Sequence, residues 1–195
     1  MVRQKRMIGV PPTKIPARER ILLTAHDLFY RDGIRGTGID RIIADSKVTK
    51  ATFYRHYPSK DTLIGAYLDY RHGRWMGAFQ DALCRHGGGS GALVPALREW
   101  FDEPGFRGCA FVNAAGEMGT ALPETRQWLK RHKAALRRLL ESLFSADAER
   151  PSTVAIIALG IDGAIVRAAA GEPTPALEAL SFLVARLDSS ARPRG

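Results

Sequence analysis

Apolar residues recur at helical spacing along almost the whole chain, and this periodicity limits the possible folds more than any other feature. In the first periodic segment, apolar side chains stand at positions 21, 22, 25, 28 and 29, between Pro16 and Gly33. No stretch alternates apolar and polar residues with the period of two that is typical of a half-buried strand. The sequence therefore predicts an all-α fold.

Capping residues and helix breakers set the expected helix boundaries. Thr37 is expected to cap a second short helix together with Asp40, and Thr49 to cap a third that ends at Pro58. Ser59 is expected to cap a long fourth helix. Further helices are predicted around residues 93–101, 108–119, 123–144, 152–170 and 175–187.

Charge is concentrated in the first third of the chain. Residues 1–60 carry 13 basic and 5 acidic side chains, whereas residues 61–195 carry 16 and 15. Because the formal net charge of +9 lies almost wholly in one segment, a polyanion is the simplest partner for that segment.

Residues 37–57 have the spacing of a helix-turn-helix, with two short helices joined by a turn of about four residues. The second of these helices is rich in hydrogen-bond donors and has no acidic side chain. A solvated surface helix normally mixes acids among its bases, so we interpret this one as a helix that enters the major groove of DNA; a merely solvated face is the alternative. The donors are Lys50, Thr52, Tyr54, Arg55 and His56.

The residues of this segment carry a family resemblance. TGIDRII begins at Thr37, and VTKATFYRHYPSKDTL begins at Val48. This pattern closely resembles the DNA-binding signature of TetR-type transcriptional repressors, and it covers roughly residues 16–65. The resemblance implies a three-helix DNA-binding domain followed by a larger helical domain for ligand binding and dimerisation. It also implies a palindromic double-stranded DNA operator and a small-molecule effector that releases the DNA.

The resemblance assigns DNA contacts residue by residue. Thr37 and Thr49, at helix N-termini, would hold phosphates. Lys50, Thr52 and Arg55 would read bases, with Arg55 the best candidate for a pair with guanine.

Three further residues would complete the DNA interface. Tyr54 would reach a phosphate or a thymine methyl group, although a core aromatic is the alternative reading of the same residue. His56 and Lys60 would contact the DNA backbone.

Lys47 departs from the family pattern, which usually has glycine at this position of the turn. If the backbone keeps a positive φ there, lysine costs about 1 kcal/mol relative to glycine. Its charge would also lie near the phosphates.

The last two predicted helices, from Ser152 to Leu187, are expected to form a homodimer as a four-helix bundle. Leucine and valine repeat along the final helix with steps of 3, 4 and 3, a seam that needs a partner helix; an intrachain core is the alternative. The seam consists of Leu177, Leu180, Val184 and Leu187. Small residues in the preceding helix permit close approach, namely Ala155, Ala158, Gly160, Gly163 and Ala164.

The middle of the chain is rich in bulky aromatic residues, and a subset of them is expected to line an effector cavity. Asn113 and Glu117 are the expected polar groups of this cavity, with Arg71 as a possible third. A structural asparagine and an exposed glutamate are the alternative. The expected cavity residues are Tyr67, Arg71, Trp75, Trp100, Phe111, Asn113, Glu117 and Trp128.

Cys109 follows a glycine and is expected in the first helical turn, where the helix dipole lowers a thiol pKa. This placement makes a thiol-sensing repressor the alternative function, and a buried inert cysteine the alternative for the residue itself.

The sequence carries no signature of an enzyme, a zinc site or another cofactor site, so we expect a regulator rather than a catalyst. An enzyme or carrier with a vestigial helix-turn-helix is the more distant alternative. The most apolar stretch, residues 154–170, is expected to be too short to span a bilayer, which indicates a cytoplasmic protein with no membrane partner. The expected organisation is a flexible basic arm (1–15), a DNA-binding domain (16–60), a ligand-binding and dimerisation domain (61–188) and a disordered tail (189–195).

Overall fold

The computed structural model describes residues 15–190, and the chain divides into one compact unit that ends at Tyr67 and a second that begins at Leu68. Residues 15–190 contain helices and no strand, which confirms the all-α prediction. The basic arm predicted before residue 15 and residues 191–195 of the predicted tail lie outside the described residues.

The first unit is a three-helix domain completed by the start of a long fourth helix. Its core residues Ile21, Ile42 and Phe53 come from three successive helices and are fully buried. Because each helix has apolar residues at a spacing of three or four, its apolar face turns toward this core. The helices are α1 (Ala17–Asp32), α2 (Ile39–Ser46), α3 (Lys50–His56) and α4 (Lys60–Arg85), the last of which continues into the second unit.

Two of the three predicted caps are confirmed. Thr49 precedes α3, and its hydroxyl accepts a hydrogen bond from the Thr52 amide at 3.2 Å. Ser59 precedes α4, and its hydroxyl accepts a hydrogen bond from the Thr62 amide at 3.1 Å. The predicted cap at Thr37 is wrong, because α2 begins later, after Gly38, and has no side-chain cap.

The second unit is a helical bundle. Helix α8 packs against both α7 and α9. A Cβ atom on Gly160 of α8 would lie 2.7 Å from Leu183 Cδ2 and 3.1 Å from Leu180 Cδ1, so glycine lets two leucines of α9 rest on the backbone of α8. The remaining helices are α5 (Leu93–Phe101), α6 (Ala110–Met118), α7 (Glu124–Glu141), α8 (Arg150–Ala169) and α9 (Pro173–Ser190), and a 3₁₀ turn (Ser90–Ala92) precedes α5.

Helices α8 and α9 both exceed their predicted lengths. Helix α9 continues through Ser190, so the first two residues of the predicted tail are helical. Helix α8 has 20 residues and a mean hydropathy of 1.6, which makes it long and apolar enough to cross a membrane by length and composition alone. The expectation that this segment is too short is therefore wrong, although seven of its side chains are buried inside the second unit.

Candidate nucleic-acid interface and aromatic cavity

Helix α3 is held to the first unit by one face. Phe53 is fully buried, and Tyr57, directly after the helix, is 1% exposed. The Tyr57 hydroxyl donates to the backbone oxygen of Arg18 at 3.4 Å, and burial raises the pKa of this phenol. These contacts anchor α3 while its other face stays open.

The open face of α3 displays most of the donors that the sequence predicts for it. Lys50, Tyr54 and Arg55 are exposed, whereas Thr52 and His56 are half-buried. Tyr54 also packs edge-to-face against Phe53, with ring centroids 5.3 Å apart, and the residue stays 39% exposed. This mixture of a cation, a guanidinium and a phenol suits contacts with phosphates and base edges.

Two other arginines of the first unit are already paired with neighbouring carboxylates. Arg31 and Arg41 both contact Asp32, at 2.9 and 3.0 Å, and Arg41 also lies 3.8 Å from Asp45. The hydrogen bond from Arg31 lowers the pKa of the Asp32 carboxyl. Lys50 and Arg55 have no such ion pair among residues 15–190, which leaves the charge of α3 for an external anion.

The turn before α3 has the geometry that the sequence predicts. Lys47 has φ 54° and ψ 47°, and it is the non-glycine residue with positive φ in the described part of the chain. Its amide donates to Ala44 O, and the next amide, of Val48, donates to Ile43 O at 3.3 Å. Lysine therefore occupies a left-handed position that glycine adopts at lower cost.

Arg20 fixes this turn from α1, and sequence reasoning missed it. Its guanidinium donates to Ser46 O at 3.2 Å, to Lys47 O at 3.4 Å and to Ile15 O at 3.0 Å. Three carbonyl acceptors match the fan of donors on a guanidinium. The sequence does not show which backbone carbonyls an arginine on an amphipathic helix will contact.

Replacing Lys47 by glycine is expected to stabilise the first unit by up to about 1 kcal/mol, because the left-handed conformation strains a residue with a Cβ atom. Chemical denaturation followed by circular dichroism measures the change. The Lys47→Ala variant, which keeps the Cβ atom and loses the charge, separates strain from electrostatics. A Lys47→Gly protein no more stable than Lys47→Ala would contradict the role of strain.

Two predicted phosphate ligands are used within the protein. The Thr37 side chain is fully buried, and its hydroxyl donates to Gly33 O at 2.7 Å. The predicted phosphate contact of this hydroxyl is therefore corrected to a structural one. Lys60 donates to Ile34 O at 2.6 Å, with its ammonium 5.9 Å from the Phe29 ring centroid, so its contact with DNA stays a prediction.

Four of the predicted cavity residues come together in the second unit. Arg71 and Trp75 on α4, Trp100 on α5 and Phe111 on α6 line one small internal cavity of about 10 Å³. That volume holds about one water molecule, so most of these rings form packed core. A larger cavity of about 170 Å³ lies between α4 and α5 and shares Arg71, Trp75 and Trp100.

The other four predicted cavity residues lie elsewhere. Tyr67 packs in the first unit, with its ring centroid 5.4 Å from that of Phe29. Asn113 is exposed and donates to Arg107 O at 3.0 Å, and the half-buried Glu117 lines neither of these two cavities. Trp128 lies under the Arg131 guanidinium at 5.0 Å. Helical spacing predicts which face of a helix each of these residues occupies. It does not predict whether those faces meet around one cavity.

A pair of histidines, His132 buried and His72 half-buried, lies in the same aromatic cluster. The Nδ1 atoms of His132 and His72 are 3.1 Å apart, and the His132 ring stacks on Phe111 with centroids 4.0 Å apart. His132 is 4% exposed, and burial lowers its pKa to about 3. Because burial disfavours the charged ring, His132 is neutral at pH 7, and one Nδ1 of the pair then donates while the other accepts.

Three of the four residues of the predicted dimer seam are buried inside one chain, and the fourth, Leu187, is half-buried. Leu177, Leu180 and Val184 are at most 6% exposed and pack within the second unit, so the intrachain alternative is correct for them. The large apolar side chains that are exposed in this region belong instead to three residues of α8 and one residue of α9. They form what we call the α8 stripe with Phe182: Ile156, Leu159, Val166 and Phe182, at 42, 73, 64 and 69% exposure.

Cys109 is the N-cap residue of α6 and is 7% exposed. It lines both the small internal cavity and an open groove between α6 and α8. Its role as a redox sensor stays a prediction.

The first unit is similar to a known family of bacterial regulatory proteins. Residues 21–67 match the model of bacterial regulatory proteins of the tetR family. The HTH-type transcriptional repressor Rv3405c of Mycobacterium tuberculosis is 46% identical over 50 residues. This match covers 26% of the chain and 27% of that repressor, so it spans about a quarter of the length of the curated relative.

Solved structures extend the similarity to nearly the whole chain. SCO4454, a TetR-family transcriptional regulator from Streptomyces coelicolor, has a TM-score of 0.78 and 29% identity, and the match covers 89% of this chain and 95% of that one. A TetR transcriptional regulator from Chloroflexus aurantiacus has a TM-score of 0.71 and 24% identity, over 87 and 92% of the two chains, and shares the fold.

Proposed function

We propose that this chain, a TetR-type transcriptional regulator, works as a homodimeric repressor that binds a palindromic DNA operator in the cytoplasm and leaves it when a small molecule binds the second unit. The observation that carries the proposal is the donor-rich, acid-free face of α3. Its apolar residue Phe53 is buried against the first unit, whereas the exposed Lys50, Tyr54 and Arg55 are of the residue types that bind phosphates and base edges.

The α8 stripe with Phe182 supports a second copy of this chain as the partner. Its three α8 residues are separated by steps of 3 and 7, so they lie along one side of the helix. Gly163 lies within the same stripe, and a Cβ atom there would have no neighbour within 4 Å. Two such stripes can approach closely and remove the exposed apolar side chains from water.

The proposed response to an effector uses helix α4. The same helix bears Lys60, whose ammonium binds the loop before α2, and Arg71 and Trp75, which line the cavities of the second unit. A ligand changes operator binding only if it binds the DNA-competent and DNA-incompetent conformations with different affinities. We propose that it favours a conformation in which the two reading helices are no longer about 34–36 Å apart, the span of one DNA turn.

Alanine at Lys50 or Arg55 is expected to weaken specific operator binding by about 1–3 kcal/mol each, because each removes base or phosphate contacts of the reading helix. The operator is first selected from a random duplex pool with the purified protein. Fluorescence anisotropy then gives affinities for the selected operator and for a scrambled duplex at fixed salt concentration.

Arg98→Ala serves as the matched control, because Arg98 is an exposed arginine on α5 of the second unit. Base reading requires that the Arg55→Ala loss be larger on the operator than on the scrambled duplex. Equal losses on both would show that Arg55 contacts phosphates only. Failure of the pool to yield any enriched sequence would contradict the function itself.

A further inference from the structure

A cavity that opens to solvent lies between α4 and α5 of the second unit, and it combines room for a small molecule with buried aromatic and charged side chains in its wall. Its volume is about 170 Å³, below the ~300–1,000 Å³ of pockets for drug-sized ligands. A single aromatic ring, or two fused rings, is therefore the size of ligand that it can enclose.

Aromatic side chains form one wall of this cavity. The Trp75 ring stacks on Phe79 with centroids 4.9 Å apart and an interplanar angle of 19°, and it meets Trp100 edge-to-face at 5.2 Å. Trp75 and Trp100 are each 8% exposed, so their positions are fixed by packing. Rigid, flat apolar surfaces of this kind favour a planar aromatic ligand.

The buried side chain of Arg71 supplies a polar group to this cavity. Arg71 is 8% exposed and lines this cavity as well as the smaller one behind it. Arginine keeps its charge in proteins, and its five N–H donors can serve a protein acceptor and a ligand anion together. The planar fork matches the two oxygens of a carboxylate.

The other charged side chains that line the cavity also favour a negatively charged ligand. Arg74 and Arg85 also line the cavity, facing the acidic residues Glu99 and Glu103. Glu99 is already bound by Arg85 and lies 2.7 Å from His86 Nε2, and the hydrogen bond from Arg85 lowers the pKa of its carboxyl. Three arginines against two glutamates, one of them paired, favour an anion over a cation.

We propose that the cavity between α4 and α5 binds a small aromatic carboxylate, with the carboxylate on Arg71 and the ring against Trp75 and Trp100. This inference rests on the proposed ligand-responsive function and names its effector class. It replaces the expected polar pair, Asn113 and Glu117, by a single arginine on the helix that continues into the first unit.

Binding is tested on the full-length protein without DNA. Quenching of tryptophan fluorescence is titrated with benzoate, phenylacetate and 1-naphthoate, and with the uncharged benzamide and the cationic benzylamine. We expect at least one carboxylate to saturate the protein with an affinity about tenfold or more above that of benzamide and of benzylamine. Absence of saturation by all three carboxylates, or equal affinity for benzamide or benzylamine, would overturn the proposal.

Two variants locate the site. Arg71→Met keeps the length of the side chain and is expected to remove the preference for the carboxylate, whereas Arg71→Lys is expected to keep part of it. Arg98→Met, an exposed arginine of α5, is the matched control and should bind as the wild type does. Melting curves identify a variant that has unfolded, and Arg71→Lys then carries the test. Full preference retained by Arg71→Met would refute the site.

A separate measurement distinguishes this proposal from the function on which it rests. Operator binding is followed by anisotropy with the best carboxylate present. A protein that binds the carboxylate but keeps its operator would refute effector release while leaving the site intact. A protein that binds its operator but no carboxylate would refute the site alone.

Discussion

Replacing Leu159 by glutamate is expected to split the protein into monomers and to weaken its binding to a palindromic operator by a factor on the order of 10²–10⁴. Leu159 is 73% exposed in the single chain, so a charge there costs the folded protomer little. In the proposed dimer the same side chain lies on the α8 stripe, where a carboxylate would be buried without a partner. Loss of the dimer removes the second half-site contact, and with it the gain from bivalent binding.

Sedimentation velocity measures the assembly, and anisotropy with the selected operator measures the affinity. Gly163→Glu tests the same stripe independently, because a side chain at this position meets no atom of its own chain within 4 Å of the Cβ. Gln127→Glu adds the same charge on an exposed position of α7 and should remain a dimer. A wild-type protein that sediments as a monomer at micromolar concentration, with full operator affinity, would refute the proposed dimer.

A charge at Leu180 has a different expected outcome. Leu180 is 2% exposed, and its side chain lies directly on the α8 backbone at Gly160. Glutamate at this position should therefore unfold the second unit rather than separate two folded protomers. Melting curves distinguish these results.

The second large expected effect is a loss of stability at acidic pH. The free energy of unfolding is expected to fall by up to about 1.4 kcal/mol for each pH unit below about 6.5, through His132. The folded-state pKa of His132 is about 3, below the ordinary value of 6.5, because burial disfavours the charged ring. Between these two pKa values the unfolded chain binds a proton that the folded chain does not, so stability is present above about pH 6.5 and is lost as the pH falls toward 3.

Urea denaturation at pH 7 and pH 5, at one protein concentration, measures this loss. His132→Asn retains a hydrogen-bonding group next to His72 but cannot titrate, and its stability should depend less on pH than that of the wild type. His56→Asn changes a half-buried histidine of the first unit, away from this cluster, and serves as the matched control. Identical pH dependence in wild type and His132→Asn would show that His132 is not the group responsible.

Local features of the sequence were sufficient to predict the all-α class, two helix caps and the donor-rich face of α3. Thr49 and Ser59 cap the helices that they were expected to cap, and α5 has the predicted bounds. The left-handed conformation of Lys47 matches the glycine that the family resemblance implies at this position of the turn. Each of these features depends on contacts within a few residues, so the chain order alone contains the information.

Pairing between distant elements could not be obtained in the same way. Arg20 fixes a turn that begins 26 residues later, and Thr37 is fully buried, with its hydroxyl also 3.4 Å from the Leu28 oxygen of α1. Helical spacing shows which residues share a face of a helix, but it does not show which element covers that face.

The sequence by itself determined an all-α chain whose first third carries a donor-rich helix without acidic residues, because helix periodicity, caps and charge are local properties. The tertiary structure alone decided that Leu177, Leu180 and Val184 are covered by their own chain while Leu159 and Val166 are left exposed. It also decided that Arg71, Trp75 and Trp100 share a cavity while Asn113 lies outside it. Helices α8 and α9 have apolar residues on more than one side, so the choice depends on how the helices pack together, and that is a property of the assembled unit rather than of any segment.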